Sequence, residues 1–254
     1  MTKRQQFVIV TAILTVGLLV TQLVGLERRF EMVAILSVLT FILCALVLRE
    51  DLTGIEWVTL LSLPTIFTLA VSLFYFLIPV RWLTRLPTAT FYALGLYATL
   101  LTENIYNVAA ERSIGLLRAA QSVGFLITLV TVFLLFDTLF SFHLGGAPIF
   151  LLVFIISFPL FMQAVWAARL DPRMNRQLFL YSLFLSLLIS EITFILSFWP
   201  LRPTMEALFL TTIFYVLGGL TQNYFLGRLF KKTINEFVLV FVIVFILTFF
   251  TTGV

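Results

Sequence analysis

Residues 147–168 read APIFLLVFIISFPLFMQAVWAA, a run without one charged side chain. A helix that crosses the hydrocarbon layer of a bilayer needs roughly 20 mostly apolar residues, because the layer is ~30 Å thick and each residue rises ~1.5 Å. This run meets that length, and its polar members Ser157 and Gln163 are neutral. A surface helix of a soluble domain keeps a polar face over such a distance. The segment therefore reads as a membrane-spanning helix.

Working outward, five further apolar runs precede it: Phe7 to Leu26, Met32 to Leu48, Trp57 to Val80, Thr88 to Ala109 and Val123 to His143. Three follow it: Leu178 to Trp199, Ala207 to Phe225 and Phe237 to Thr252. The second and ninth runs are the shortest. Apolar residues make up 61% of the 254 positions and charged residues 11%, about half the ~25% charged fraction of soluble domains. The predicted fold is all-α, a polytopic transmembrane bundle of about nine helices in which residues 1–254 form one domain. Lys3 and Arg4 before the first run resemble the start of a secretory signal, but Val24, Gly25 and Leu26 lack the small-x-small pattern of a cleavage site. A retained first helix is expected.

Cys44, the only cysteine, lies inside an apolar run, which excludes a disulfide framework and a cysteine metal site. The net charge of +4 does not point to nucleic acid, since the basic residues are scattered between apolar runs. Their distribution speaks instead to orientation. With a cytoplasmic N-terminus, the inner side holds Lys3, Arg4, Arg49, Arg112, Arg118, Arg169, Arg173, Arg176, Arg228, Lys231 and Lys232. The outer side holds Arg28, Arg29, Arg81, Arg85 and Arg202. Basic loops resist translocation, so the expected topology is N-terminus inside and C-terminus outside. The loops are too short for a soluble catalytic domain. The longest follows the fourth run, and Ile114, Leu117 and Ala120 within it share a helical face, which fits either an interfacial segment or an extension of the fourth helix. Pro64 and Pro159 fall inside helices and remove a backbone hydrogen bond each.

The chain also resembles itself. Thr15, Val16, Leu18, Leu19 and Leu23 return as Thr131, Val132, Leu134, Leu135 and Leu139. Arg49, Asp51, Leu60, Ser62 and Leu63 return as Arg169, Asp171, Leu180, Ser182 and Leu183, and Leu101, Thr102, Glu103 and Asn104 as Leu220, Thr221, Gln222 and Asn223. The offsets of 116, 120 and 119 pair each helix with the fourth one after it. This pattern predicts a parallel four-plus-four repeat, residues 1–112 and 117–232, with an extra helix at 237–252. It makes Thr21 the counterpart of Asp137, Ser72 of Glu191, and Glu103 of Gln222.

An ionisable side chain inside the bilayer is costly and is a functional candidate by default. Glu103, Asp137 and Glu191 lie well inside predicted helices with no lysine or arginine at comparable depth. Asp137, Glu191 and Gln22 fall at similar depths and form one expected polar layer. Glu103, Asn107 and Glu111 share a face, with Asn104 beside them, and Gln222, Asn223 and Gln163 fall near the same depth in a second layer. The set Glu103, Asn104, Asn107, Asp137, Glu191, Gln222 and Asn223 is the candidate ion, proton or polar-cavity site. A competing reading has these groups merely hydrogen-bonding between helices. His143, the only histidine, has no partners in sequence for a metal site. No G-x-S-x-G, H-E-x-x-H, Walker or C-x-x-C pattern occurs, so no catalytic residue, metal or cofactor is assigned.

Residues 102–125, TENIYNVAAERSIGLLRAAQSVGF, with Asn104, Asn107, Ala109, Ala110 and Arg112 running into Leu117, Arg118 and Ala119, resemble a segment of uncharacterised multi-pass membrane proteins of candidate-phylum bacteria. The resemblance implies a bacterial cytoplasmic membrane and carries over no functional residue. The leading functional expectation is a transport-type protein, or a transporter subunit, for an ion or small molecule. A non-catalytic scaffold or assembly factor is the alternative. A lipid-linked-substrate enzyme working through Glu111, Arg112 and Arg118 ranks third. The expected surroundings are the lipid bilayer, with a second copy or another membrane protein as partner and no nucleic acid.

Overall fold

The computed structural model describes residues 2–21, 23–24, 26–49, 54–78, 82–111, 115–171 and 175–251, without the side chains of Leu26, Trp82, Ala110 and Glu111. Gln22 and Arg112 lie outside the described residues, as does the side chain of Glu111. Among the described residues there are nine α-helices and no strand: α1 Lys3–Thr21, α2 Arg29–Leu48, α3 Glu56–Phe74, α4 Trp82–Glu111, α5 Leu117–Ser141, α6 Gly146–Arg169, α7 Arg176–Leu196, α8 Pro203–Phe225 and α9 Lys231–Thr251.

Eight of these helices are long and apolar enough to cross a membrane. The exception is α4, which has ample length at 30 residues but carries Thr, Tyr, Asn and Glu side chains that lower its hydropathy. The two shortest predicted helices are full length: α2 has 20 residues and α9 has 21. Each gains charged residues at its start, Arg29 and Glu31 in α2, Lys231, Lys232 and Glu236 in α9, which a hydrophobicity reading leaves out. The long loop is mostly absorbed into its neighbours, because α4 continues to Glu111 and α5 already begins at Leu117.

Local chemistry explains the helix ends. Pro203 opens α8 at a position whose N–H is not needed. The Asn175 side chain accepts a hydrogen bond from Gln177 N and caps α7. At the end of α6, Leu170 turns left-handed (φ 56°) and its N–H closes on Trp166 O at 2.8 Å. Within the helices, buried hydroxyls return to their own backbone: Thr128 to Gly124 O, Thr131 to Ile127 O and Thr138 to Leu134 O, at 2.7–2.8 Å. That back-bonding lets polar residues sit in an apolar interior without an unmet donor.

The chain divides into two compact units, Met1–Thr131 and Val132–Val254, with the boundary inside α5. In the first, α1 packs on α2 and α4, α2 on α3, and α3 on α4. Phe67 of α3 stacks on Tyr92 of α4 at 6.0 Å between ring centroids, and their helices also share a 3.0 Å Thr68–Tyr92 hydroxyl hydrogen bond. Gly95 makes room there, since a Cβ would overlap the Phe67 ring. The start of α5 is held to the end of α4 by Tyr106, whose hydroxyl donates to Ala120 O at 3.0 Å.

In the second unit, α6 and α7 pack most extensively, α8 lies on both, and α9 lies on α8. Phe161 and Phe214 stack at 3.9 Å between α6 and α8. Gly219 of α8 receives the ring of Phe237 from α9. Apart from Phe237 and Thr248, the described side chains of α9 are not buried. The pairings α2–α3, α3–α4 and α2–α4 thus have counterparts in α6–α7, α7–α8 and α6–α8.

Candidate functional site

Glu103 is fully buried (0% exposed) on α4, and Asn107, one turn further on the same face, is also buried. This face meets α2, where Asn107 Nδ2 donates to Leu48 O at 3.4 Å. Cys44 of α2 and Tyr106 of α4 lie within electrostatic reach of the Glu103 carboxylate. Thr99 and Thr102 complete the buried seam. Asn104 is half-buried, and its Oδ1, like that of Asn107, is shielded from solvent and accepts no hydrogen bond among the described residues.

The second unit has its own polar cluster at the end where α6 and α8 finish. Gln222 Nε2 donates to Ala164 O of α6 at 2.7 Å. Asn223 instead bonds Gly219 O of its own helix at 2.8 Å. Arg169 donates from Nε to Phe225 O at 3.1 Å, with its guanidinium 4.8 Å from the centre of the Phe225 ring. Gln163 is buried nearby on α6. These contacts tie α6 to α8 much as Asn107 ties α4 to α2.

At the opposite end of this unit, where α5 and α7 finish and α6 and α8 begin, lies a crevice of about 250 Å³. Phe140, His143, Ser197, Trp199 and Glu206 are among its lining residues. Glu206 stands in the first turn of α8 and is 8% exposed. Its carboxylate makes no hydrogen bond or ion pair among the described residues. His143 adopts a left-handed backbone (φ 49°) at the end of α5, with Nδ1 2.9 Å from Ser141 O. A carbonyl only accepts, so Nδ1 is the donor of this contact. Ser197 donates its hydroxyl to Phe194 O at 2.7 Å and keeps its lone pairs.

Asp137 lies on α5 three residues before Phe140, roughly 5–9 Å deeper along the helix than the crevice residues Phe140 and His143. It is 7% exposed, and its Oδ1 is shielded from solvent without a hydrogen-bond partner among the described residues. Glu191 is placed differently. It is exposed on α7, away from the packed interior, so it does not share a buried layer with Asp137. The repeat counterparts show the same split: Thr21 and Asp137 are both buried, whereas Ser72 is buried and Glu191 is not. Arg118 is exposed at the start of α5.

Two buried carboxylates escaped the sequence reading, Glu56 (3% exposed) and Glu206. Each stands one residue ahead of a helix start set by hydrophobicity, at Trp57 and at Ala207. The structure starts those helices earlier, at Glu56 and Pro203. Pro203 followed within a turn by an acidic residue is the helix-start signal that would have drawn attention to Glu206.

Residues 32–251 match the model of a family described as "Protein of unknown function (DUF5656)", and the chain belongs to that family. This agrees with the resemblance of residues 102–125 to an uncharacterised family. No curated protein and no solved structure matches the chain.

Proposed function

We propose, for this member of a family of unknown function, a transport-type role in which a proton or small cationic solute passes through the crevice of the second unit and is coupled to Asp137. Asp137 carries the proposal: a carboxylate inside a spanning helix, more than nine-tenths buried, with Oδ1 unsatisfied, one helical turn before Phe140, which lines the crevice. A lone carboxylate in a low-dielectric interior is tolerated either protonated or beside a bound cation. Exchange between those two forms is the elementary step of coupled transport. Glu103, in its own unit, is a second buried carboxylate, set among Cys44, Tyr106 and Asn107.

The test uses the full chain reconstituted in vesicles with a trapped pH-sensitive dye. Wild type should move protons or a supplied solute, and Asp137→Asn should lose that flux while keeping its elution profile and melting temperature. Undiminished flux in Asp137→Asn would overturn the coupling role.

A scaffold or assembly role is the second reading. Its support is that Gln222, Arg169 and Asn107 bond backbone carbonyls of neighbouring helices and so act as fasteners. Glu191, exposed within a spanning helix, is the position from which a second copy or another membrane protein would be held. We place the chain in the cytoplasmic membrane with the N-terminus inside and the C-terminus outside, on the distribution of lysine and arginine. We also propose that residues 1–112 and 117–232 descend from one duplicated four-helix unit. The shared helix pairings and the Glu103/Gln222 match support this, while Ser72 and Glu191 differ in facing.

A further inference from the structure

We infer that the crevice lined by Glu206, His143, Ser197 and Trp199 binds a small organic ammonium. The inference rests on the transport reading only in taking this crevice as the way to Asp137; binding itself requires no transport. Size is the first argument. About 250 Å³ corresponds to roughly eight waters at ~30 Å³ each, enough for an organic cation of several heavy atoms. A bare metal ion would rattle in it, and among the described residues no three His, Cys, Asp or Glu side chains gather to hold one.

The chemistry of the lining is the second argument. Glu206 brings an unpartnered carboxylate, more than nine-tenths buried, into a lining that also holds Phe140, Leu144, Ile149 and Trp199. A buried charge of that kind is costly until a counter-charge arrives. Ser197 has committed its hydroxyl hydrogen to Phe194 O at 2.7 Å, so its oxygen presents lone pairs. The Glu206 carboxylate and the Ser197 oxygen, in one lining with the His143 ring, call for a ligand rich in N–H groups. Trp199 and Phe140 add aromatic rings to the lining, and a ring face attracts an ammonium through its quadrupole. Trp199 also carries one indole N–H, which leaves room for a polar tail on the ligand.

The experiment is isothermal titration calorimetry on the full chain in a maltoside detergent. Propylammonium chloride is the probe, with potassium chloride and 1-propanol as controls of equal charge and equal shape. A saturable heat is expected with propylammonium and with neither control. Glu206→Gln should weaken that binding at least tenfold while melting as wild type does. If Glu206→Gln does not fold, Trp199→Leu is measured instead, with a several-fold loss expected. No saturable heat with propylammonium, equal heats from potassium or propanol, or undiminished binding in the folded variant would each overturn the inference. Vesicle flux without this binding would overturn the inference alone, and binding without flux would overturn the transport reading alone.

Discussion

Replacing Gly124 by alanine tests how the fourth and fifth helices are joined. A Cβ at position 124 would stand 2.5 Å from Tyr106 Oη and 3.0 Å from Thr102 Cγ2. Tyr106 is 1% exposed, and its hydroxyl is already committed to Ala120 O at 3.0 Å, so the ring has nowhere to swing. Overpacking of this kind costs ~1–3 kcal/mol, and losing the hydrogen bond adds ~0.5–1.5 kcal/mol. The sum, about 2–4 kcal/mol, corresponds to a melting temperature lower by roughly 5–15 °C on the soluble-domain scale. Thermal melting of the detergent-solubilised chain, read by size-exclusion fluorescence, gives the number. Tyr106→Phe supplies the decisive comparison. Removing the hydroxyl leaves the ring Cζ at 3.3 Å as the nearest Tyr106 atom, so Gly124→Ala should cost much less when combined with Tyr106→Phe than on its own. That positive coupling is the signature of a direct clash. A Gly124→Ala variant that melts like wild type, or a double variant no better than additive, would refute the packing described for this junction.

Three further outcomes are expected. Glu103→Gln should retain wild-type membrane level and melting, because the amide preserves shape and hydrogen bonding, whereas Glu103→Leu should lower both; equal stability of the two, measured by melting and immunoblot, would show that no polar partner is needed at that site. Gly219→Ala should lower the melting temperature because its Cβ overlaps the Phe237 ring, and Phe237→Leu should restore much of the loss in the double variant. Reporter fusions should find the segment 170–175 in the cytoplasm and the C-terminus outside; a C-terminal reporter active only in the cytoplasm would overturn the assigned topology.

The number and approximate extent of the helices were legible in the sequence because a long apolar helix is a local property: enough consecutive apolar residues to match the hydrocarbon thickness. The same reading trimmed charged first turns from α2 and α9 and missed Glu56 and Glu206, since hydrophobicity has no view of helix turns that lie at the lipid edge. Which side of each helix faces protein was not legible. In a soluble helix the apolar stripe marks the buried face, but lipid is as apolar as a protein core, and that contrast disappears inside a membrane. Asp137 and Glu191 looked alike, each a lone carboxylate in a spanning helix at similar depth. Only the tertiary structure buried one within the second unit and left the other exposed on α7. It likewise brought together Ser197, Trp199 and Glu206 with His143, more than 50 residues away along the chain, because the ends of α5 and α7 and the starts of α6 and α8 meet there. Helix packing creates that proximity, and no spacing along the chain encodes it.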